Sequence, residues 1–311
     1  MNFFWKALKV LFKSVISLYI AVFLLLMIVV DREKVFSHAR AATLSRFSPS
    51  FDDLADTLEN HKQFDPKKLR EYVEYYEKVV EYTPGNAEAY ALLGFFYYHS
   101  GKYKKAIALF RKSIKLNPRI FWFYYNLGTI HFKLGQYDQA VIAFKKALLT
   151  NPSDTTTLIS SSRIYLPIFL ARLKSHNDID VEQKVLSQFQ WGYQECSRLL
   201  VLSYDHLEDF KQLINYAAEA MQASFFDPEI FYHAGRAAYQ LKEYEKAVFF
   251  FQECVKEDLN NSDAYYYLGL SLKELNHPSL SQAALQKAAY LRATQDAAFS
   301  KKERELRLGI F

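Results

Sequence analysis

Hydrophobic and polar positions alternate in two distinct manners along this chain. From Ser14 to Val30 there is no charged residue, and nothing later is so uniformly apolar. A helix over that run reaches about 26 Å at about 1.5 Å per residue, the short end of a bilayer core. Leu11 and Phe12 extend the run, Lys13 can reach back to headgroups, and Trp5 with Phe3-Phe4 suits an interface. Asp31-Arg32-Glu33-Lys34 follows at once, and Ala39-Arg40-Ala41 lies well past those charges. The segment therefore reads as a retained transmembrane helix rather than a cleaved signal, whose apolar core is shorter and whose small-residue site lies close behind. Beyond a linker at 31–50, apolar residues recur at three- and four-residue spacing between short polar breaks, which predicts helix after helix.

Those helices repeat. Pro84, Pro118 and Pro152 fall 34 residues apart, as do Gly94 and Gly128, Gly101 and Gly135, Tyr103 and Tyr137, Ala106 and Ala140, and Phe110 and Phe144. The order of aromatic, Leu-Gly, aromatic, Gly-x-Tyr, Ala, Phe, Ala and Pro at this period resembles the tetratricopeptide repeat. The pattern is one of packing. Gly94 and Gly128 lie mid-way along a first helix, where a missing Cβ lets the second helix approach. Gly101 and Gly135 end that helix in a left-handed turn, Phe110 and Phe144 fill the crossing, and Pro118 and Pro152 stop the second helix. The resemblance implies an all-α helical solenoid.

In this register the first two repeats are 87–120 and 121–154, and Gly235 and Gly269 fix two more at 228–261 and 262–295. In the last, Asn276-His277-Pro278 replaces Gly-x-Tyr. Gly128 to Gly235 spans three periods and five residues, so 155–227 holds degenerate repeats with an insertion. A loop is expected at His176-Asn177-Asp178 and helix again from about Val181, with Leu213, Ala217 and Ala220 at repeat positions. Upstream, 51–86 reads as a partial repeat ending at Pro84. The tail at 1–13 is short and basic, and 296–311 reads as a polar C-terminal capping helix, which a solenoid needs where its last repeat has no neighbour.

Composition agrees. Nine Gly and eight Pro in 311 residues favour helices with short connections over a turn-rich β fold, and 50% hydrophobic residues exclude a disordered chain. Six of the nine Gly occupy repeat positions, which leaves few for a phosphate loop. No nucleophile elbow, zinc-protease, Walker or dinucleotide pattern occurs, so no enzyme activity, catalytic residue, cofactor or metal is expected. A remote alternative is an enzyme whose chemistry lies within 155–227. Two Cys support neither a disulfide framework nor a zinc site, and Cys196 and Cys254 read as core. His131 stands at an aromatic packing position. His233 lies on a first-helix face and reads mainly as surface. Residues 87–154 carry ten Lys and Arg against three acids in a chain of net charge +5, so the remainder is negative. The bland reading is a solvated outer face, the sharper one a patch for an anionic membrane or acidic partner. Nucleic acid is not expected, because no base-stacking aromatics interleave with the patch.

The tetratricopeptide resemblance further implies that first-helix positions 2, 5, 9, 12 and 13 line a concave groove for another protein or peptide. From those positions and their neighbours the candidates are Phe95, Tyr98, Trp122, Tyr125, Asn126, Phe132, Tyr232, Arg236, Tyr239 and Tyr266. The clamp that some members use for a C-terminal carboxylate is missing, since Ala91 and Phe95 stand where its Lys and Asn belong and only Asn126 matches. The 23 Tyr and 26 Phe make ring-mediated contact the natural expectation. Together these readings give a single-pass, non-enzymatic membrane scaffold or adaptor with no small-molecule substrate. Nearly balanced flanking charges leave its orientation open. A short basic tail in the cytoplasm with the solenoid outside is favoured, and a peptide-binding receptor or co-chaperone at a membrane surface, facing the cytosol and resembling mitochondrial import receptors, is the alternative.

Overall fold

The computed structural model describes residues 64–150, 181–223 and 225–307. The expected tail, membrane span, linker and first helix of the partial repeat, and the loop at 176–178, lie outside these residues. The described residues fall in two compact units, one within 1–117 and one within 118–311.

The first unit contains α1 (Pro66–Tyr82), α2 (Ala87–His99) and α3 (Tyr103–Leu116). Short polar residues start the first two. Asp65 accepts from the Lys67 N–H at 2.7 Å, and Asn86 from that of Ala89 at 3.0 Å. Tyr72 of α1 stacks on Phe96 of α2 at 4.9 Å, and Phe110 of α3 lies beneath Gly94.

The second unit contains α4 (Phe121–Lys133), α5 (Tyr137–Leu149), α6 (Val181–His206), α7 (Phe210–Gln222), α8 (Pro228–Gln240), α9 (Tyr244–Glu257), α10 (Ser262–Glu274) and α11 (Pro278–Arg307). Asp227 and Asn261 cap α8 and α10 through the N–H groups of Glu229 and Ala264. A Cβ on Gly128 would meet Phe144 at 2.5 Å, and one on Gly235 would meet Phe251 at 2.7 Å. The expected packing role of these glycines is thus visible as contact between facing helices.

Among the described residues, five helix-to-helix turns of this repeat type take one form. Gly101 and Gly135 have φ of 72° and 69°, and Glu208, Lys242 and Asn276 occupy the same turn position at 55°, 61° and 57°. At each, the next N–H reaches back five residues, as in Lys102 to Tyr97 and His277 to Leu272, both 2.9 Å. Asn276-His277-Pro278 therefore keeps the glycine turn without glycine. Gly135 to Glu208 covers two periods and five residues, which confines the insertion between them.

One boundary differs from expectation. No separate capping helix begins at 296, because α11 runs unbroken from Pro278 to Arg307. α3 and α5 stop at Leu116 and Leu149, just before Pro118 and Pro152, whereas no Pro or Gly follows Pro278 until Gly309. Among the described residues no helix is long and apolar enough to cross a membrane.

Candidate protein-binding face

The richest grouping of expected groove residues lies on the first helices α8 and α10. Tyr232, Arg236 and Tyr239 occur at three- and four-residue spacing and share one face of α8. Tyr267 of α10 joins them, with ring centroids 6.4 Å from Tyr232 and 5.8 Å from Tyr239. Its own ring stacks on Phe251 at 5.9 Å, and Tyr266 stands 5.5 Å away on the other side. Arg236 lies over the Tyr232 ring at 5.8 Å, and Arg292 of α11 over Tyr266 at 4.8 Å. All four tyrosines are half-buried, so each keeps part of its ring in solvent. Burial raises the phenol pKa of both Tyr232 and Tyr239, keeping them neutral hydrogen-bonding groups.

Charge borders these rings. Asp205 of α6 pairs with His233 at 3.0 Å and with Arg236 at 3.5 Å. The His233 hydrogen bond, with the charges of His233, Arg236 and His206, outweighs desolvation and holds the Asp205 carboxyl below its ordinary value. His233 is therefore not the loose surface residue expected, since its side chain is 12% exposed and engaged. His206 stacks on Tyr137 at 4.3 Å, with Phe132 at 5.9 Å. A second pair, Arg198 to Asp227 at 2.9 Å, ties α6 to the cap of α8.

The α4 candidates behave otherwise. Trp122 is 6% exposed, and a Cβ on Gly192 would sit 2.4 Å from its ring. It is a core residue of the contact with α6, not a groove residue. The reason is length: α6 starts at Val181, a full 13 residues before position 194 where a repeat would begin, and that extra half carries Gly192. Tyr125 stacks on Phe121 at 5.8 Å and abuts Trp122 at 5.6 Å. The Asn126 amide donates to the Trp122 carbonyl one turn back at 2.7 Å, so it serves its own helix. In the first unit, Phe95 packs among Phe64, Phe96 and His99, and Tyr98 against His99 and Tyr103.

Three residues escaped the sequence reading: Asp205, His206 and Tyr267. Counting the same five first-helix positions through the degenerate repeat 194–227 would have given Arg198, Asp205 and His206. Tyr267 sits next to a counted position and is placed by the α8 crossing. His131 is 4% exposed and bonds Gln136 at 2.7 Å. Cys196 and Cys254 are buried free thiols, and burial pushes Cys254 up to about 12. Among the described residues no group of three His, Cys, Asp or Glu could hold a metal.

Comparison with known proteins agrees with this architecture. Residues 66–147 match the family described as anaphase-promoting complex, cyclosome, subunit 3, and residues 228–261 match the tetratricopeptide repeat. The chain is a member of the tetratricopeptide-repeat proteins. No curated protein matches it in sequence. Among solved structures, YrrB, a TPR protein with an unusual peptide-binding site, is 17% identical with a TM-score of 0.50, covering 74% of this chain and 99% of its own. That likeness establishes the fold. PilW, a widely conserved type IV pilus biogenesis factor, is 16% identical over 84% of this chain and 97% of its own, with a TM-score of 0.47. MamA from Desulfovibrio magneticus RS-1 is 16% identical over 68% of this chain and 97% of its own, with a TM-score of 0.44.

Proposed function

We propose that this protein is a membrane-anchored adaptor, without a catalytic step of its own, that holds another protein against the α8–α10 face. Protein interaction is the work of the repeat class to which the chain belongs. The observation that supports this particular face is the row Tyr232, Tyr267, Tyr239 and Tyr266 with Arg236 among them, half-buried on adjacent first helices. Rings held rigid by their neighbours yet open on one side bury a large area with little entropy loss, as interface hot spots do. The occupant is an apolar helix or extended segment with a polar flank for Arg236, and it needs no free carboxylate. Residues 14–30 supply the anchor, with the repeats outside the cytoplasm.

Partner capture by photo-crosslinking at position 239 in native membranes tests the face. Tyr239→Ala with Tyr266→Ala should weaken binding by about 2–4 kcal/mol while the thermal midpoint barely moves. Trp122→Ala should do the reverse and lower the midpoint. Undiminished capture by the tyrosine pair variant would remove this face. Carbonate extraction and protease accessibility of intact cells test the anchor and its orientation. Deleting residues 1–30 should release a soluble, still helical protein, whereas a mature N-terminus near Ala42 would show a cleaved leader instead.

A further inference from the structure

We propose that the outer stripe of α3 docks on an anionic lipid surface. Lys104, Ala108, Arg111 and Lys115 follow one another at four-, three- and four-residue steps, opposite the buried Ala106, Phe110 and Ser113. Lys105 and Lys112 flank them, all five cations are exposed, and α3 contains no acidic residue. Lys104, Arg111 and Lys115 make no ion pair with a described carboxylate. Lys105 and Lys112 instead lean over the rings of Tyr97 and Tyr90, at 4.9 and 5.8 Å.

The repeat itself does not demand this stripe. At the same positions α5 carries Asp138, Ile142, Lys145 and Leu149. In α7 they are Lys211, Asn215, Ala218 and Gln222, and in α9 they are Glu245, Phe249, Gln252 and Lys256. On α9 the flanking cation Lys246 is neutralised by Glu243 at 2.8 Å, and Lys256 pairs with Glu253. The same repeat thus tolerates neutral and mixed faces, and α3 alone among these second helices places three cations at these positions.

The occupant follows from what the stripe lacks. An acidic protein partner would meet only Ala108 within the stripe, with Leu116 exposed at its end and the Tyr90 ring covered by Lys112, whereas protein interfaces are anchored on several open rings or large apolar groups. A lipid headgroup layer needs only charge, to which each Lys or Arg adds. The uncharged run 14–30 precedes α3 in the same chain, and tethering there raises the local concentration of headgroups around the stripe. This last point rests on the proposed anchor, whereas the stripe itself does not.

The test uses the full chain in vesicles of phosphatidylcholine alone or with one third phosphatidylglycerol. Both native thiols are buried, so Ala108→Cys accepts a fluorophore selectively. Quenching by headgroup-spin-labelled lipid should be at least about threefold greater in the anionic vesicles. It should return to the neutral-lipid level in about 0.5 M salt. The same loss is expected for Lys104→Glu with Arg111→Glu and Lys115→Glu, whose unchanged melt shows the fold intact. Equal quenching in both lipids overturns the proposal, and so does quenching that survives the triple reversal. Shielding of the fluorophore by polyglutamate but not by anionic vesicles overturns it in favour of an acidic protein. Carbonate-resistant flotation reports the anchor separately. If the chain fails to insert, salt-sensitive flotation with anionic vesicles alone supports the stripe, and absence of such flotation overturns it.

Discussion

The α8–α9 and α6–α7 helix pairs solve one packing problem with opposite residues. In the first, Gly235 leaves room for Phe251, whose ring would stand 2.7 Å from a Cβ there. In the second, the equivalent positions are Val201 and Ala217, both buried. Each pair closes on a left-handed residue, Lys242 in one and Glu208 in the other. The bulk needed at the crossing has moved from the second helix to the first. A close-packed interior constrains summed volume more than which helix supplies it. The exchange leaves a trace, since α6 and α7 touch less extensively than α8 and α9. A branched side chain at the crossing holds backbones apart where hydrogen would not. The swap also explains why repeat 194–227 reads as degenerate: its turn is intact, but the glycine and the aromatic are both gone.

The largest expected effect comes from emptying the aromatic crossing. Phe251→Ala should lower stability by about 3–5 kcal/mol, because the ring is fully buried between Gly235 and the rings of Tyr232 and Tyr267. Chemical denaturation would measure it, and a loss below about 1 kcal/mol would mean α8 and α9 can collapse together. Next, Gly235→Val alone should destabilise by about 1–3 kcal/mol through overpacking. Combined with Phe251→Ala it recreates the α6–α7 arrangement, and the double variant should be more stable than the sum of the two losses predicts. Strict additivity would show that the two pairs are not alternative answers to the same problem.

A smaller effect separates the pairs electrostatically. In the α6–α7 pair, Asp205 of α6 has its pKa lowered chiefly by His233 and Arg236 of α8. Its contribution is fully present above the ordinary aspartate value of 3.8 and is lost as pH falls through the lower folded value. Asp205→Asn should therefore lower stability at pH 7 by about 1 kcal/mol. It should also remove part of the acid dependence below about pH 4, which melts across pH would show. The smallest change is a gain. Lys242→Gly and Glu208→Gly relieve a left-handed conformation that Cβ opposes, and each should raise stability by up to about 1 kcal/mol. Equal gains at both sites would mean the turns are interchangeable although the crossings are not.

The candidate face was only partly visible beforehand. Tyr232, Arg236, Tyr239 and Tyr266 could be placed by counting first-helix positions from the glycines. Trp122 was miscounted by the same rule, because its burial depends on Gly192, which is distant in sequence. Asp205 and His206 were overlooked because their repeat lacked the glycine that starts the count.

The sequence by itself determined the 34-residue period, the helix-turn-helix units, the packing glycines and the place where helix resumes near Val181. These depend on residues within one repeat, where caps, turns and facing pairs lie at fixed short separations. The left-handed turns at Glu208, Lys242 and Asn276 belong to the tertiary structure, because packing of the flanking helices holds non-glycine residues there. So does the division of aromatic rings into core and face. Trp122 near the start of α4 and Tyr239 near the end of α8 both fall on counted first-helix positions, and which of them keeps contact with solvent is settled by the helix that comes to lie beside each. Without α6 reaching back across α4, the sequence pattern would treat the two rings alike.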